Sequence, residues 1–429
     1  GLLKYAPEII LVVYFAYISH YIINISFGDD VDYYIHILGG MTLRDYLFER
    51  YTGWSSRLLV DILTIYMVRI QKIWKILNVL VTLAIYENII GIIKDAGKED
   101  VRVDRFVVLA IMVLYPYQMD MNTAGWVATT LNYWWVLAAL IFSIRCMLVW
   151  YRGGKLTLIH AILFPFCFLY GINQEQGALL FEMIAVSLVV YGIIDNRGKT
   201  GRCFDKRIIF CIIICFAVMI FEFTCPGNQV RKNSNIEYWL PEFAGFGIQE
   251  KIYMGSIAIY RMFVCGWNSV YKLIFTLTLL VACTGYVFDK TEITWKTLAL
   301  RVICVASVVI QIIFVYRYLK GLNDENSLFG KIFFNPGATT VVKWNEKRTF
   351  IPIVILLIYS IVVCIASICE RTGREVILGC AMYGIISIML MGFTPSVWAS
   401  SERTGLFSYF LFSAIIIVLL GRLEKIRNQ

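Results

Sequence analysis

Histidine and charge are scarce in this chain of 429 residues. It has three histidines, and charged residues make up 16% of it, against 59% hydrophobic residues and a mean hydropathy of +0.71. No histidine is spaced with a cysteine or another histidine as metal ligands are, and the twelve cysteines form no Cys-x-x-Cys pair. This composition excludes an ordinary soluble domain and predicts a polytopic membrane protein.

The formal net charge of +9 does not indicate a nucleic-acid partner. The basic residues are scattered between apolar runs and form neither a face nor a tail. Most cysteines lie inside apolar stretches, which is typical of small buried hydrophobes rather than of a disulfide framework. The first apolar stretch is long for a cleavable signal and lacks a small-residue cleavage site, so we expect it to remain as an anchor helix.

Apolar runs that could cross a bilayer recur along the chain and predict an all-α protein of about twelve transmembrane helices. They lie at roughly 7–27, 74–93, 106–119, 133–150, 156–172, 177–194, 207–224, 268–288, 298–316, 350–368, 376–393 and 406–421. The apolar stretch 58–70 is too short to cross and is predicted to be an interfacial helix within a first outer loop, 28–73. We expect a single transmembrane domain, 1–429, with longer outer loops at 225–267 and 317–349.

The distribution of basic residues favours one orientation. If 58–70 does not cross, both termini are cytoplasmic, and the basic stretches fall on that side at 94–105, 151–155, 195–207, 369–375 and 421–429. The short outside loops then carry a single basic residue, Arg403. The sequence therefore predicts that the remaining polar loops share the extracytoplasmic face.

Four charged residues on that face stand at the end of a predicted span or helix. Asp29 and Asp30 follow the first apolar run, where lipid gives way to water; one would be catalytic and the other orienting, unless they cap a helix that begins near Val31. Arg57 opens the predicted interfacial helix, where a cation opposes the helix dipole, so we expect an anion partner or a lipid headgroup. Glu175 stands between two apolar runs and is expected to be partly buried, with an arginine partner or a function.

The other candidates complete a set of carboxylates, amides and cations. Pro226-Gly227 predicts a turn that is followed by two cations. We assign donor phosphate binding to Arg57, Arg231, Lys232 and Arg403, and substrate binding or orientation to Asp120, Asn132, Trp134, Glu175, Asn228 and Glu402. Such a set suits transfer from a lipid phosphate, because a carboxylate can deprotonate a hydroxyl while guanidinium groups bind the phosphate.

Several short motifs, in this order, resemble a bacterial membrane family of glycosyltransferases related to the O-antigen-type glucosyltransferases. They are Asp29-Asp30, Gly53-Trp54-Ser55-Ser56-Arg57-Leu58, Ala124-Gly125-Trp126, Asn132-Tyr133-Trp134-Trp135, Asn173-Gln174-Glu175, Pro226-Gly227-Asn228-Gln229-Val230-Arg231 and Ser400-Ser401-Glu402-Arg403-Thr404. The resemblance covers about residues 28 to 405. It departs from the family pattern at Asn173-Gln174-Glu175, where members more often have His or Asn beside the Glu.

The resemblance implies a GT-C-like enzyme of the bacterial cytoplasmic membrane. Such enzymes transfer a sugar from a polyprenyl-phosphate donor, with an Asp or Glu of the first outer loop as catalytic carboxylate, which here would be Asp29 or Asp30. We therefore expect inverting transfer of a hexose to an extracytoplasmic glycan or lipid-linked acceptor, with a donor synthase and a flippase as partners. A divalent metal could bind near the paired carboxylates, although a monophosphate donor does not require one.

Two other functions stay open at this stage. A flippase or transporter of lipid-linked sugars would place charges near the bilayer midplane and in broken helices. A polysaccharide polymerase or ligase would be marked by one long outer loop dominated by Arg and His. No motif encodes the sugar, the acceptor or the linkage.

Overall fold

The computed structural model describes residues 5–22, 29–96, 104–117, 127–195, 205–265, 269–287, 294–320, 355 and 374–427. Every element in this part of the chain is a helix or a helical turn. Helices suit a membrane protein because each helix satisfies the hydrogen bonds of its own backbone, and lipid offers no partners for them. The chain divides into two compact units, one formed by 1–96 with 105–233 and the other by 97–104 with 234–429.

The first unit is a bundle of apolar helices with shorter polar helices at one end. Its helices are α1 (Ala6–Tyr17), α2 (Leu43–Gly53), α3 (Leu58–Arg69), α4 (Gln71–Ala96), α5 (Arg105–Leu114), α6 (Val127–Tyr151), α7 (Leu158–Gly171), α8 (Glu175–Asp195), α9 (Lys206–Thr224) and α10 (Pro226–Trp239), which runs past its boundary. π-Helical turns follow α1 at Ile18–Ile22, precede α2 at Asp30–Tyr34 and interrupt α6 at Thr130–Trp135. Helix α6 packs on α4, α7 and α8, and α8 packs on α9.

The second unit is also helical. Its helices are α11 (Ile248–Tyr260), α12 (Ser269–Val287), α13 (Trp295–Leu319), α14 (Arg374–Met389) and α15 (Leu406–Arg427), with helical turns at Pro241–Gly245, Arg261–Cys265, Leu390–Phe393, Val397–Ser400 and Ser401–Gly405. Helix α12 packs on α13 and α15, and α14 packs on α15. The backbones at Gly255 and Gly392 are in contact, and a side chain on either residue would clash with the neighbouring main chain. Small residues thus permit this close helix contact.

Within the described residues, seven helices are long and apolar enough to cross a membrane: α4, α6, α8, α9, α12, α13 and α15. They correspond to seven of the predicted spans. The predicted spans 106–119, 156–172 and 376–393 are shorter apolar helices. The span 7–27 corresponds to α1 and its π-helical turn, and 350–368 lies, apart from Ile355, outside the described residues. The structure thus supports a polytopic helical membrane protein but not the full number of twelve.

The outward faces of these helices are apolar. Phe166 of α7 is 71% exposed and Phe223 of α9 is 82% exposed. So much exposed aromatic and aliphatic surface would be unfavourable in water, whereas lipid tails solvate it. The first unit therefore has the surface of a protein that lies in a bilayer.

Helix α3 matches the predicted element 58–70 to within one residue. Its twelve residues span about 18 Å, short of a ~30 Å hydrocarbon core. A buried ion pair joins it to α2, since Arg50 Nε donates to Asp61 Oδ2 at 2.8 Å. Tyr34 donates its hydroxyl hydrogen to the other oxygen of Asp61 at 3.0 Å. This network fixes the turn Asp30–Tyr34 against α2 and α3.

Candidate functional site

Glu175, the first residue of α8, is bound by two arginines that come from different parts of the first unit. Arg57 Nε donates to Glu175 Oε2 at 2.7 Å, and Arg231 Nη2 donates to Oε1 at 2.7 Å. The side chains of Arg57, Arg231 and Glu175 are 19%, 23% and 33% exposed, so the group is partly accessible. We call these three residues the arginine cluster. Two guanidinium groups on one carboxylate leave an excess of one positive charge.

Arg57, which precedes α3, is held in place by a residue of α6. Its Nη1 donates to Asn132 Oδ1 at 3.1 Å, and Asn132 Nδ2 donates to the carbonyl oxygen of Ala128 at 2.9 Å. Burial acts to lower the pKa of Arg57, but the carboxylate of Glu175 outweighs it and raises that pKa above its usual value. Arg57 therefore remains a cation although it stands at a helix start, where the helix dipole disfavours one.

The three consecutive residues 173–175 each have a different contact. Asn173 Oδ1 accepts the amide hydrogen of Leu59 at 2.8 Å and so caps α3. Gln174 Oε1 accepts the amide hydrogen of Gly177 at 2.7 Å and caps its own helix, α8. Glu175 then binds the arginines. The segment that departs from the family pattern thus joins the starts of two helices to the cluster.

Helix α10 brings Arg231 to the cluster. The predicted turn at Pro226-Gly227 is wrong, because Pro226 is the first residue of this helix, a position where its missing N–H and fixed φ are tolerated. A side chain on Gly227 would lie 2.7 Å from the carbonyl oxygen of Tyr51 and 2.8 Å from the amide nitrogen of Ser55. Only glycine permits this contact, which sets the start of α10 against the residues before α3.

Asn228 strengthens the same contact. Its Nδ2 donates to Ser56 Oγ at 3.0 Å and to the carbonyl oxygen of Glu222 at 2.7 Å. One helical turn further on, Arg231 also lies 3.5 Å from Ser55 Oγ. The amide of Asn228 therefore ties α10 to α9 and to the segment that carries Arg57.

Asp29 and Asp30 have different environments. Asp30 is fully buried, and its two oxygens accept the amide hydrogens of Val127 at 2.8 Å and Ala128 at 3.0 Å, which caps α6. Burial raises the pKa of Asp30 to about 7, although both amide hydrogen bonds act in the opposite direction. Asp29 is exposed, and its side chain makes no capping hydrogen bond to the turn Asp30–Tyr34. Neither carboxylate caps a helix near Val31.

The structure brings neither Trp134 nor Lys232 to the cluster. Trp134 is fully buried among the aromatic rings of the first unit and donates to Thr82 Oγ1 at 2.9 Å. Lys232 is exposed beside Arg231. Asp120 lies outside the described residues. Glu402 and Arg403 belong to the second unit, where the carbonyl oxygen of Glu402 accepts a hydrogen bond from Tyr271 at 2.8 Å.

Sequence reasoning missed Glu222, which lies near the end of α9. It is 3% exposed, and its Oε1 has no hydrogen-bond partner. It is close enough to Glu175, Arg57 and Arg231 to interact with them electrostatically. A signal was available in Phe221-Glu222-Phe223, since a lone carboxylate inside an apolar span usually has a function.

The cluster lies where α3, α8 and α10 begin and α9 ends, so it occupies one end of the membrane helices. Positive helix ends and guanidinium groups both favour an anion there. Among the described residues, no group of three or more His, Cys, Asp or Glu side chains is placed to hold a metal ion. No family model, curated protein or solved structure matches this chain.

Proposed function

We propose that this protein is a membrane glycosyltransferase that moves a hexose from a polyprenyl-phosphate donor to a glycan or lipid-linked acceptor. The observation that carries the proposal is the arginine cluster at the ends of apolar helices. Guanidinium groups bind phosphate in bidentate geometry. A phosphate on a lipid chain would lie at this depth, with its tail among the helices.

In this proposal Asp29 is the general base. Its carboxylate is exposed, whereas both oxygens of Asp30 already accept main-chain hydrogens. The acceptor hydroxyl attacks the anomeric carbon as Asp29 takes its proton, and the bond from that carbon to the phosphate oxygen breaks. Arg57 and Arg231 stabilise the charge on the departing phosphate. A single displacement of this kind inverts the anomeric centre.

Asp30 and Asn132 act as positioning residues in this scheme. Asp30 holds the first turn of α6 through two amide hydrogen bonds, and Asn132 lies on that helix and accepts from Arg57. A change at Asp30 therefore reaches the phosphate site through the helix. Because both residues act on Arg57, their loss should weaken donor binding more than the chemical step.

The distribution of basic residues supports an extracytoplasmic site in a bacterial cytoplasmic membrane. Arg152 and Lys155 follow the end of α6, and further basic residues lie at 195–207 between α8 and α9. These are the ends opposite to the cluster. Cytoplasmic loops are enriched in Lys and Arg, so the cluster would face outward. A donor synthase and a flippase would then supply the substrate on that side.

The test is turnover by the purified protein in nanodiscs with a panel of polyprenyl-phosphate hexoses and acceptors. Release of polyprenyl phosphate should be abolished in Asp29→Asn, and Arg57→Lys and Arg231→Lys should lower kcat/KM by at least about tenfold, since lysine loses the bidentate contact. Lys155→Gln, at the opposite end of the helices, is the control. Full turnover in Asp29→Asn would reject the proposed base.

A flippase is the second candidate because some charged residues lie inside the spans. Lys272 of α12 is fully buried. Arg145 of α6 lies against Gly91 and donates to Asn88 Oδ1 at 3.1 Å. Ionisable residues at membrane depth often mark a transport path. Movement of a lipid-linked sugar across proteoliposomes, without release of polyprenyl phosphate from any donor, would favour this function.

A further inference from the structure

Glu222 is a buried carboxyl group that the proposed mechanism does not use. Glu222 is only 3% exposed, and its Oε1 has no hydrogen-bond partner. The neighbouring Asn228 also has a buried acceptor, Oδ1, without a donor. Glu222 Oε1 and Asn228 Oδ1 are thus two neighbouring acceptors that no donor of the described residues reaches.

The charged and titratable groups around Glu222 are Arg57, Arg231 and Glu175, with Cys215 two turns earlier on α9. Both arginines direct their hydrogen bonds elsewhere, to Glu175 and to the Asn132 and Ser55 side chains. Among the described residues neither arginine forms an ion pair with Glu222. Glu222 is thus a second carboxyl group beside two cations that already bind the first.

The charge of the site depends on whether Glu222 carries a proton. An ionised carboxylate without a partner is costly to bury, and the neighbouring Glu175 repels it, so Glu222 is favoured as the neutral acid. Two guanidinium groups and the carboxylate of Glu175 then leave one positive charge. If Glu222 ionises, the site becomes neutral.

We propose that Glu222 sets the charge of the arginine cluster and thereby controls how tightly the cluster binds a lipid-linked phosphodiester, which carries one negative charge. The proposal rests on the proposed function, since it names a regulatory group at the same site. The phosphodiester is attracted by the single positive charge that remains while Glu222 is protonated. Loss of the proton from Glu222 would weaken this binding, on the order of tenfold or more at these separations.

The experiment measures binding without an acceptor, so that no turnover is needed. Short-chain prenyl phosphoglucose is titrated into the protein in phosphatidylcholine nanodiscs between pH 6 and 10.5. The phosphodiester keeps its single charge over this range, so only the protein titrates. Because Asp30 also titrates near pH 7, the informative quantity is the difference between wild type and Glu222→Gln.

We expect the affinity of wild type for the phosphodiester to fall at least about tenfold with rising pH. Glu222→Gln should bind it tightly across the range, and Glu222→Asp should restore the fall. If Glu222→Gln does not fold, Glu222→Met provides the uncharged variant. Equal pH slopes in wild type and the uncharged variant, or no binding by wild type, would overturn the proposal.

Sugar transfer is assayed separately on the same variants. Transfer that depends on Asp29, combined with equal pH slopes, would keep the glycosyltransferase and reject the role of Glu222. A slope that disappears in Glu222→Gln, with no transfer from any donor, would keep the phosphodiester site and reject the glycosyltransferase.

Discussion

Asp30 combines full burial with two main-chain hydrogen bonds, and its titration should be visible in the stability of the protein. Its pKa is about 7 in the folded protein, above the ordinary value of about 3.9 for an unfolded chain. The folded state therefore binds the proton more tightly. The stabilisation is complete below about pH 4 and is lost as the pH rises to about 7, on the order of 4 kcal/mol in total.

We expect the apparent melting temperature of wild type in detergent to fall between pH 5 and pH 8, with a smaller fall for Asp30→Asn. Differential scanning fluorimetry at four pH values measures both. Asp29→Asn, which changes an exposed neighbour, should keep the slope of wild type. A fall in Asp30→Asn as steep as in wild type would show that another group titrates.

Single residues differ in how far the sequence predicts them. An arginine partner for Glu175 could be expected, because a carboxylate between two apolar runs needs one. The contact of Asp30 with Val127 could not, since it joins positions 97 residues apart. The burial of Trp134 among aromatic rings could not be predicted either, because no local signal in the sequence marks the π-helical turn Thr130–Trp135 that holds it.

At the scale of elements, the contact between α10 and the residues before α3 should control the arginine cluster. Gly227→Ala would place a methyl group against the main chain of Tyr51 and Ser55, which cannot yield as a side chain can. Helix α10 must then move, so the ion pair of Arg231 with Glu175 should weaken. We expect a loss of about 1–3 kcal/mol in stability and weaker binding of the phosphodiester probe.

Gly53→Ala is the matched control, since the space around Gly53 is open and it ends α2 only two residues from Ser55. It should leave the melting temperature unchanged or raise it slightly, because alanine restricts the unfolded chain. Both variants are compared by thermal unfolding and by titration with prenyl phosphoglucose. Equal behaviour of the two variants would mean that α10 is not held by this contact.

The sequence predicted helices well where an apolar run had both the length and the low polarity of a membrane span. The span-length runs behind α4, α6, α8 and α9 are all helices, and α3 differs from its prediction by one residue. Helix α10 was missed because Pro-Gly is a strong turn signal in isolation. Its glycine is used for close approach instead, which depends on a segment about 170 residues earlier in the chain and has no local signature.

At the scale of the whole molecule, the contacts within the first unit constrain its topology. Arg57, Glu175 and Arg231 meet, so the starts of α3, α8 and α10 must lie on the same side of the membrane. The helices α6, α7, α8 and α9 follow one another through short connections, and the basic residues collect at the other end of this bundle. The positive-inside rule then predicts an extracytoplasmic position for the cluster.

Reporter fusions in bacteria test this orientation directly. Alkaline phosphatase, which folds only outside the cytoplasm, should be active when fused after Gly53, between α2 and α3, and inactive after Gly153, between α6 and α7. A fluorescent protein that requires the cytoplasm should give the reverse pattern. If the orientation of the unit were the reverse, the basic loop that contains Arg152 and Lys155 would face outward, and the phosphatase would be active after Gly153 and inactive after Gly53. That result would move the arginine cluster to the cytoplasmic face, where a sugar nucleotide or an unflipped lipid donor could reach it.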